Sequence, residues 1–215
     1  MKKRKTKTLV VLGSGGHTTE MIHLLEGLDP RIYDPIIYAA ACSDKTSIPR
    51  LENYVNHDTT GRWFRRIPRE SSNQKRDSKI AECANVYRIP RAREVGQSYI
   101  TSIFTTLHAF IQTLWLILTV KPELVLANGP GTCVPLIYTA VIIRLLSSIF
   151  RSGRPKCKVV FVESLCRVES LSLAGKLVYP IVDQFVVHWP NLKEKYPLVE
   201  VIDVFVAHDD SHKTG

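Results

Sequence analysis

The chain lacks the paired cysteines of a zinc site or a redox centre. Its 215 residues include five cysteines, an odd number, and no two of them form a Cys-x-x-Cys pair. Disulfide frameworks need pairs and an oxidising compartment, so this usage indicates reduced, cytosolic surroundings with mostly inert thiols. No spacing of histidines and carboxylates suggests metal ligands either. We therefore expect no metal.

Two nucleotide-binding signals are also missing. The glycine turns at 13–16 and 129–131 are not followed by Gly-Lys-Ser/Thr, so P-loop hydrolysis of ATP is not indicated. The first turn reads Gly13-x-Gly15-x-x-Thr18 and lacks the third glycine of the dinucleotide fingerprint. Asp44, after the second predicted strand, could bind a ribose, which leaves an NAD site as an alternative. Because the fingerprint is incomplete, we expect the chain to bind no cofactor.

Positive charge is concentrated in two segments. The formal net charge is +9; residues 1–8 hold five basic and no acidic residues, and residues 61–93 hold ten basic and three acidic ones. A basic tail and a basic belt suit an anionic partner such as a membrane surface, a nucleic acid or a pyrophosphate. The belt has few aromatic residues and no recognisable nucleic-acid motif, so a nucleic-acid-binding module is the weaker alternative.

Apolar runs alternate with helical patterns along the chain. Strands are predicted at 9–12, 36–40, 85–89, 124–127, 158–162 and 185–187, with a further apolar, β-branched stretch at 199–206. Residues 43–81 are polar and poorly periodic, which predicts the edge of a helix and an irregular loop. Alternating strands and helices predict one α/β domain over residues 9–206, a Rossmann-like, doubly wound parallel sheet. Residues 1–8 are then a basic tail and residues 207–215 a polar tail.

Polar and glycine-rich segments follow the predicted strands. Ligands of such folds bind beyond the carboxyl ends of the strands. That rule brings together 13–17, Asp44, 128–132, 163–164 and His188. Each glycine turn opens a helix, whose N-terminus favours an anion, so the pair of turns suits a pyrophosphate. Thr132 is expected to cap the second of these helices.

Two helices are unusually apolar. Residues 95–120 contain no Asp, Glu, Lys or Arg, and residues 136–150 contain only Arg144 among charged residues. The first pattern predicts a buried or membrane-surface amphipathic helix, with a membrane span as the alternative. The second helix should be buried or should contact a bilayer or a partner.

Several long motifs carry a family resemblance. They are GSGGHTTEM (13–21), RIPRAREVGQS (88–98), FTTLH (104–108), KPELVLANGPGTCVP (121–135), VFVESLCRVESLSLAGK (160–176) and HWPNLKEKYP (188–197). Together they resemble the asparagine-linked glycosylation protein fourteen family, the acceptor-side, membrane-associated subunit of the dolichol-pathway UDP-N-acetylglucosamine transferase. The first glycine turn and His17 are also similar to the first glycine loop of the bacterial peptidoglycan glycosyltransferase.

The resemblance implies the N-terminal half of a split GT-B glycosyltransferase. Its partner, the thirteenth protein of the same pathway, would bind UDP-GlcNAc. The pair would add the second GlcNAc, β1,4-linked, to GlcNAc-diphosphodolichol on the cytosolic face of the endoplasmic reticulum membrane. Members of that family usually begin with a membrane span, whereas this sequence begins with basic residues. Either the span was removed, or the basic tail and the 100–118 helix form the anchor. A pure scaffold that recruits the donor subunit without catalytic side chains is the alternative.

The resemblance also assigns roles to residues. His17 would be the general base, although a helix-start histidine that bonds backbone is the alternative. Glu163 would orient His17 or bind sugar hydroxyls, unless it pairs with Arg167. The predicted diphosphate-binding residues are Ser14, Gly15, Gly16, Thr18, Asn128, Gly129, Gly131, Thr132, Arg91 and Arg93. The predicted partner contact consists of Val201, Ile202, Val204, Phe205 and Val206.

Overall fold

One parallel sheet organises the described part of the chain. The computed structural model describes residues 4–57, 86–91, 99–129, 131–150 and 157–202. The strands are β1 Thr8–Leu12, β2 Ile36–Ala41, β3 Val86–Ile89, β4 Leu124–Asn128, β5 Lys158–Val162, β6 Gln184–Val187 and β7 Val199–Val201. The helices are α1 Gly16–Glu26, α2 Ser47–His57, α3 Tyr99–Val120, α4 Cys133–Ile149, α5 Leu173–Val178 and α6 Asn191–Lys195.

The strand order places a crevice at the centre of the sheet. The order is β3-β2-β1-β4-β5-β6-β7, and every neighbouring pair is parallel. After β3 the chain crosses back to the other side of β1, where β4 pairs with it from Thr8↔Leu124 to Val11↔Ala127. Connections to the two sides of β1 leave in opposite directions, so a crevice opens beyond the carboxyl ends of β1 and β4.

Helices cover both faces of the sheet. Every residue of β1 is buried, and its side chains alternate between the two cores, Val10 toward one and Val11 toward the other. The first core is built with α1 and α2, the second with α3, α4, α5 and α6. This burial on two faces explains why β1, β2 and β4 contain no charged residue, and the predicted Rossmann-like, doubly wound fold is confirmed.

The segment after β2 is more regular than its sequence suggests. The helix α2 begins at Ser47, within the stretch predicted to be mostly irregular. Asp44 caps it, because its Oδ1 accepts hydrogen bonds from the backbone N–H groups of Thr46 and Ser47, at 2.9 and 3.1 Å. The cap and the burial of Ile48 and Leu51 on one side of the helix stabilise it.

Helices α3 and α4 pack against each other and leave apolar side chains in solvent. Between them, the hydroxyls of Thr113 and Thr139 lie 3.0 Å apart, and Phe110 meets Tyr138 edge to face. We call their outward side the α3–α4 surface: Phe104, Leu107, Ile111, Leu114, Trp115, Leu118, Ile142, Leu145, Leu146, Ile149 and Phe150, all exposed. Within the described ranges, neither these helices nor any other is long and apolar enough to cross a bilayer.

Some predictions fall outside the described residues. They concern Arg93, Val204, Phe205, Val206, the polar tail at 207–215, the start of the basic tail and most of the basic belt.

Candidate active site

The first glycine turn presents the start of α1 at the crevice. Gly15 is the N-cap residue, with φ +68° and ψ −130°, a conformation that suits glycine because it has no Cβ. No side chain caps the free N–H groups of the first turn. Gly16 is exposed and Ser14 and Gly15 are half-buried, so these amides are open to an anion from the crevice.

The second glycine turn has the same character. Gly129 has φ +68°, and the helix α4 follows after Thr132. Thr132 occupies the N-cap position but makes no side-chain capping bond, contrary to the prediction that it caps α4. By contrast, the helices α2 and α5 are capped by Asp44 and Ser172. The two helices that begin at glycine turns thus have first-turn amides that no side chain caps.

His17 lies between the two turns and is held by polar side chains. Its Nδ1 lies 2.8 Å from Oδ1 of Asn128 and 3.4 Å from Oε2 of Glu20. Asn128 donates from Nδ2 to the same Glu20 oxygen at 3.0 Å, and the hydroxyl of Ser164 donates to the other at 2.8 Å. This network, hereafter the Glu20 network, joins the ends of β1, β4 and β5. The alternative of a histidine that bonds only backbone does not describe it.

The network shifts the acid–base properties of both charged members. The Glu20 carboxylate raises the pKa of His17, although partial burial acts against it, and Asn128 and Glu163 add to the increase. Burial alone would raise the pKa of Glu20, but its bonds with His17, Asn128 and Ser164 lower it to about 2. Glu20 is therefore an anion at neutral pH, and His17 titrates above its ordinary value.

The structure gives Glu163 a different role from the one predicted. The side chain is 1% exposed, which excludes direct contact with a sugar in the crevice. One carboxylate oxygen accepts from the backbone N–H of Ser164, and the other accepts from the backbone N–H and hydroxyl of Ser172. Ser172 is the N-cap residue of α5, so Glu163 fixes the start of that helix. The carboxylate beside His17 is that of Glu20. In the described structure no ion pair joins Glu163 to Arg167.

Three predicted ligand side chains are turned into the protein. Thr18 is fully buried, and its hydroxyl donates to the carbonyl of Gly13 and meets the Ser47 hydroxyl at 2.8 Å. Asn128 is fully buried and committed to His17 and Glu20. Asp44 is 3% exposed and caps α2, so it is not placed to hold a ribose. These side chains shape the glycine turns and leave the backbone amides as the ligand donors.

The remaining predicted residues lie at different distances from the crevice. Gly131 is exposed at the start of α4. Arg91 follows β3, which β2 separates from β1, so it shares the carboxyl edge of the sheet without belonging to the crevice. Val201 ends β7 at the opposite side of the sheet, where Ile202 is partly exposed.

Sequence reasoning missed two residues at the crevice. Glu20 follows His17 by three residues in the same helix, and this i, i+3 spacing is a signal that could have identified it. Arg50, on α2, donates from Nη1 to the carbonyl of Gly15 at 2.7 Å and to the hydroxyl of Thr19 at 3.3 Å. It carries an exposed positive charge to the first glycine turn. No local pattern in the sequence connects Arg50 with that turn.

A second histidine lies nearby at the end of β6. His188 is half-buried, and its Nδ1 is buried without a hydrogen-bond partner in the described structure. Desolvation lowers its pKa, although Glu20 and Glu163 act in the opposite direction. The pKa of His188 is thus lowered where that of His17 is raised, and in the described part of the chain it is His17 that lies against Gly129.

The fold and this crevice define a class of protein. A computed comparison with solved structures finds the crystal structure of MurG from Acinetobacter baumannii, with a TM-score of 0.55 and 14% identity. The match covers 87% of this chain and 42% of that one. The chain therefore has the Rossmann-like α/β fold of the N-terminal half of a GT-B glycosyltransferase.

Sequence comparisons identify the family. The family model described as "Oligosaccharide biosynthesis protein Alg14 like" matches residues 8–205, and the chain belongs to this family. Proteins named UDP-N-acetylglucosamine transferase subunit ALG14 are similar to it. The human one is 43% identical over 88% of this chain and 78% of its own length. The one from Saccharomyces cerevisiae is 31% identical over 90% and 74%. The predicted family resemblance is confirmed.

Proposed function

We propose that this chain is the acceptor-binding subunit of a UDP-N-acetylglucosamine transferase that extends a diphosphate-linked lipid. The observation that carries the proposal is the position of His17 between two glycine turns whose helices begin with uncapped amides. The names of its relatives, each a UDP-N-acetylglucosamine transferase subunit, supply the reaction class. By this assignment the acceptor is GlcNAc-diphosphodolichol and the product carries a second, β1,4-linked GlcNAc.

The glycine turns would bind the acceptor diphosphate. Backbone N–H groups at Gly15, Gly16, Gly129 and Gly131 would donate to it from the starts of α1 and α4. A helix N-terminus stabilises an anion through these amides and through its dipole. The exposed Arg50 would add positive charge, and Ser14 a hydroxyl. Arg91 and Arg93 would bind the diphosphate or lipid headgroups.

His17 would be the general base. The acceptor 4-hydroxyl attacks the anomeric carbon of the donor GlcNAc, a C–O bond forms, and the bond from that carbon to UDP breaks. The hydroxyl proton passes to the imidazole, and UDP leaves with the electron pair of the broken bond. Histidine suits this step because its pKa lies near neutral pH, where the neutral ring can accept a proton.

A separate subunit would provide the donor site. MurG is more than twice the length that this chain matches, and the chain carries no complete nucleotide fingerprint. We assign UDP-GlcNAc binding to a partner subunit, the thirteenth protein of the same pathway. Val201 and Ile202 at the end of β7, with the apolar residues 204–206 that follow, would contact it.

The α3–α4 surface would face the membrane. Eleven large apolar side chains on two packed helices are exposed, far more than single scattered residues on a soluble surface. A lipid-linked acceptor reaches a cytosolic enzyme only at the bilayer, so an exposed apolar face is useful for this reaction. The basic tail would add attraction to anionic lipids, and the location would be the cytosolic face of the endoplasmic reticulum membrane.

Co-expression tests the function directly. The chain is purified with the donor subunit and given UDP-GlcNAc and a short GlcNAc-diphospho-lipid, and the disaccharide product is measured. We expect transfer by the pair and none by either subunit alone. Absence of transfer, in an assay where another Alg14-family pair is active, would contradict the proposal.

A further inference from the structure

Glu20 contacts His17, and its own side chain is mostly buried. Its carboxylate is 13% exposed and shares Oε2 between His17 and Asn128, at 3.4 and 3.0 Å. Ser164 holds the other oxygen. Protein groups hold both carboxylate oxygens, and the side chain is mostly buried. We therefore expect its influence on the reaction to pass through His17.

The hydrogen bonds around Glu20 fix the orientation of the Asn128 amide. An ionised carboxylate only accepts hydrogen bonds, so the Asn128 atom that faces Glu20 must be the donor Nδ2. The other end of the amide, the acceptor Oδ1, then faces Nδ1 of His17 at 2.8 Å. Rotation of the amide by 180° would place the amide oxygen of Asn128 against the carboxylate oxygen of Glu20, and the two would repel each other.

The orientation of Asn128 in turn fixes the tautomer of His17. Since Oδ1 can only accept, Nδ1 of a neutral His17 must carry the ring proton. The lone pair then lies on Nε2, at the other side of the ring. Glu20 also lies close enough to Nδ1 to stabilise the imidazolium that forms when Nε2 takes a proton.

We propose that Glu20 is a positioning residue which, through Asn128, holds His17 in the Nδ1–H tautomer and so makes Nε2 the nitrogen that accepts the acceptor proton. This inference rests on the proposed role of His17 as base and adds the carboxylate that selects the nitrogen. The logic is that of any base histidine whose second nitrogen is fixed by a hydrogen bond.

Other charged groups near His17 do not replace Glu20. Glu163, at the end of β5, acts on the ring only at a distance and is bonded to Ser164 and Ser172. His188 faces Glu20 from the end of β6, and desolvation lowers its pKa. Arg50 bonds the carbonyl of Gly15. Glu163 and Arg50 are common to the enzyme and its Glu20 variants, and the loss of Glu20 acts on the pKa of His188 only by removing a cause that raises it.

The test uses Glu20→Gln in the complex with the donor subunit. The amide keeps the shape of the side chain but loses the charge, and it no longer forces Asn128 into one orientation. We expect kcat to fall at least about tenfold, since the wrong tautomer costs a serine protease about 10⁴-fold. KM for the lipid acceptor should change little. The acidic limb of the kcat/KM profile should move to lower pH, because the loss of Glu20 removes the main cause that raises the pKa of His17.

The chain provides a matched control on the same helix. Glu26 lies three residues after His23 and pairs with its Nδ1 at 3.1 Å, but both side chains are exposed. Glu26→Gln should leave kcat and the pH profile unchanged. The double variant His17→Ala with Glu20→Gln should be no slower than His17→Ala, because Glu20 acts only through His17.

The outcomes separate this inference from the proposed function. A slow His17→Ala variant together with normal kcat and an unshifted limb in Glu20→Gln would overturn the role of Glu20 and leave the base intact. Normal activity of His17→Ala would overturn the base itself. If Glu20→Gln does not fold, the tautomer is measured by ¹⁵N NMR on the unmutated complex with labelled histidine. Protonation of the neutral His17 ring at Nδ1 would support the inference, and protonation at Nε2 would contradict it.

Discussion

The α-carbon of Gly129 lies against the imidazole ring of His17. A Cβ built at position 129 would be 2.3 Å from Cε1 and 2.4 Å from Nδ1 of that ring. Position 129 also has φ +68°, which an L side chain rarely adopts. The second glycine turn therefore has a second role besides exposing its amides: its backbone at Gly129 packs against the ring of His17 and restricts the position of the proposed base.

Gly129→Ala should impair transfer by displacing His17. The methyl group must push the ring away or strain the turn, and a shift of about 1 Å in a catalytic group can cost about 100-fold in rate. The measurement is kcat of the two-subunit enzyme. Gly27→Ala is the control, because a Cβ there would meet only the Leu24 carbonyl at 3.5 Å. Normal kcat in Gly129→Ala would show that the ring position is unimportant.

His17→Ala should lower kcat by about 10²–10⁴-fold, the usual contribution of a general base. Copurification with the donor subunit should persist, since His17 lies at the crevice and not on β7. His23→Ala is a matched control, because His23 forms the same kind of pair with Glu26 at an exposed position of α1. Full activity in His17→Ala with the partner still bound would favour the pure scaffold.

Arg50→Ala should weaken acceptor binding more than it slows the reaction. The guanidinium bonds the Gly15 carbonyl and brings positive charge to the proposed diphosphate site. We expect KM for the lipid acceptor to rise about tenfold, as expected for one charge-assisted hydrogen bond of about 1.5 kcal/mol. Lysine at this position should restore part of the affinity. Arg31→Ala serves as the control, because Arg31 is exposed in the loop before β2. An unchanged KM would show that Arg50 does not contribute to acceptor binding.

Polar substitutions on the α3–α4 surface should reduce membrane binding without unfolding the protein. Ile111, Trp115 and Ile149 are 59%, 59% and 72% exposed, so their replacement by serine costs little packing. Binding of the triple variant to liposomes should weaken at least about tenfold, because apolar burial drives it. Leu173→Ser is the control, on an equally exposed residue of α5. Equal liposome binding by the triple variant would place the membrane contact elsewhere.

Asp44→Asn should destabilise the fold in a pH-dependent manner. Burial would raise the pKa of Asp44, but hydrogen bonds from Ser47 and Thr46 outweigh it and lower the pKa. Its contribution is therefore present above the unfolded pKa, about 4, and is lost as pH falls through the lower folded value. We expect a loss of about 1–3 kcal/mol in the free energy of unfolding at pH 7. The loss should shrink below pH 4.

Asp29→Asn is a suitable control for that measurement. Asp29 accepts a hydrogen bond from the backbone N–H of Arg31, at 2.9 Å, in an exposed turn. Urea unfolding of both variants at pH 7 and near pH 3.5 gives the comparison. An effect of Asp44→Asn that does not depend on pH would mean that the charge of Asp44 makes no contribution.

Much of the site was predictable because it follows the strands. Gly13–His17 and Asn128–Gly131 come directly after buried apolar runs, and parallel strands place their carboxyl ends at one edge. The structure bears out that these two turns meet. The detailed roles were less predictable: Thr18, Asn128 and Glu163 carry the polar groups of ligand-binding residues, yet all three are buried and bond their neighbours.

The sequence by itself determined the element order, the parallel sheet, the glycine turns and the family. These depend on local patterns, on apolar periodicity and on the fixed hand of crossovers, which act along the chain. Only the tertiary structure decided that Asn128 and Ser164 hold the Glu20 carboxylate beside His17. Asn128 ends β4 and Ser164 follows β5, far from α1 in the sequence, and their contacts with Glu20 depend on distances that no local pattern encodes. It likewise decided that the apolar sides of α3 and α4 form one exposed surface, because burial depends on what packs against each helix.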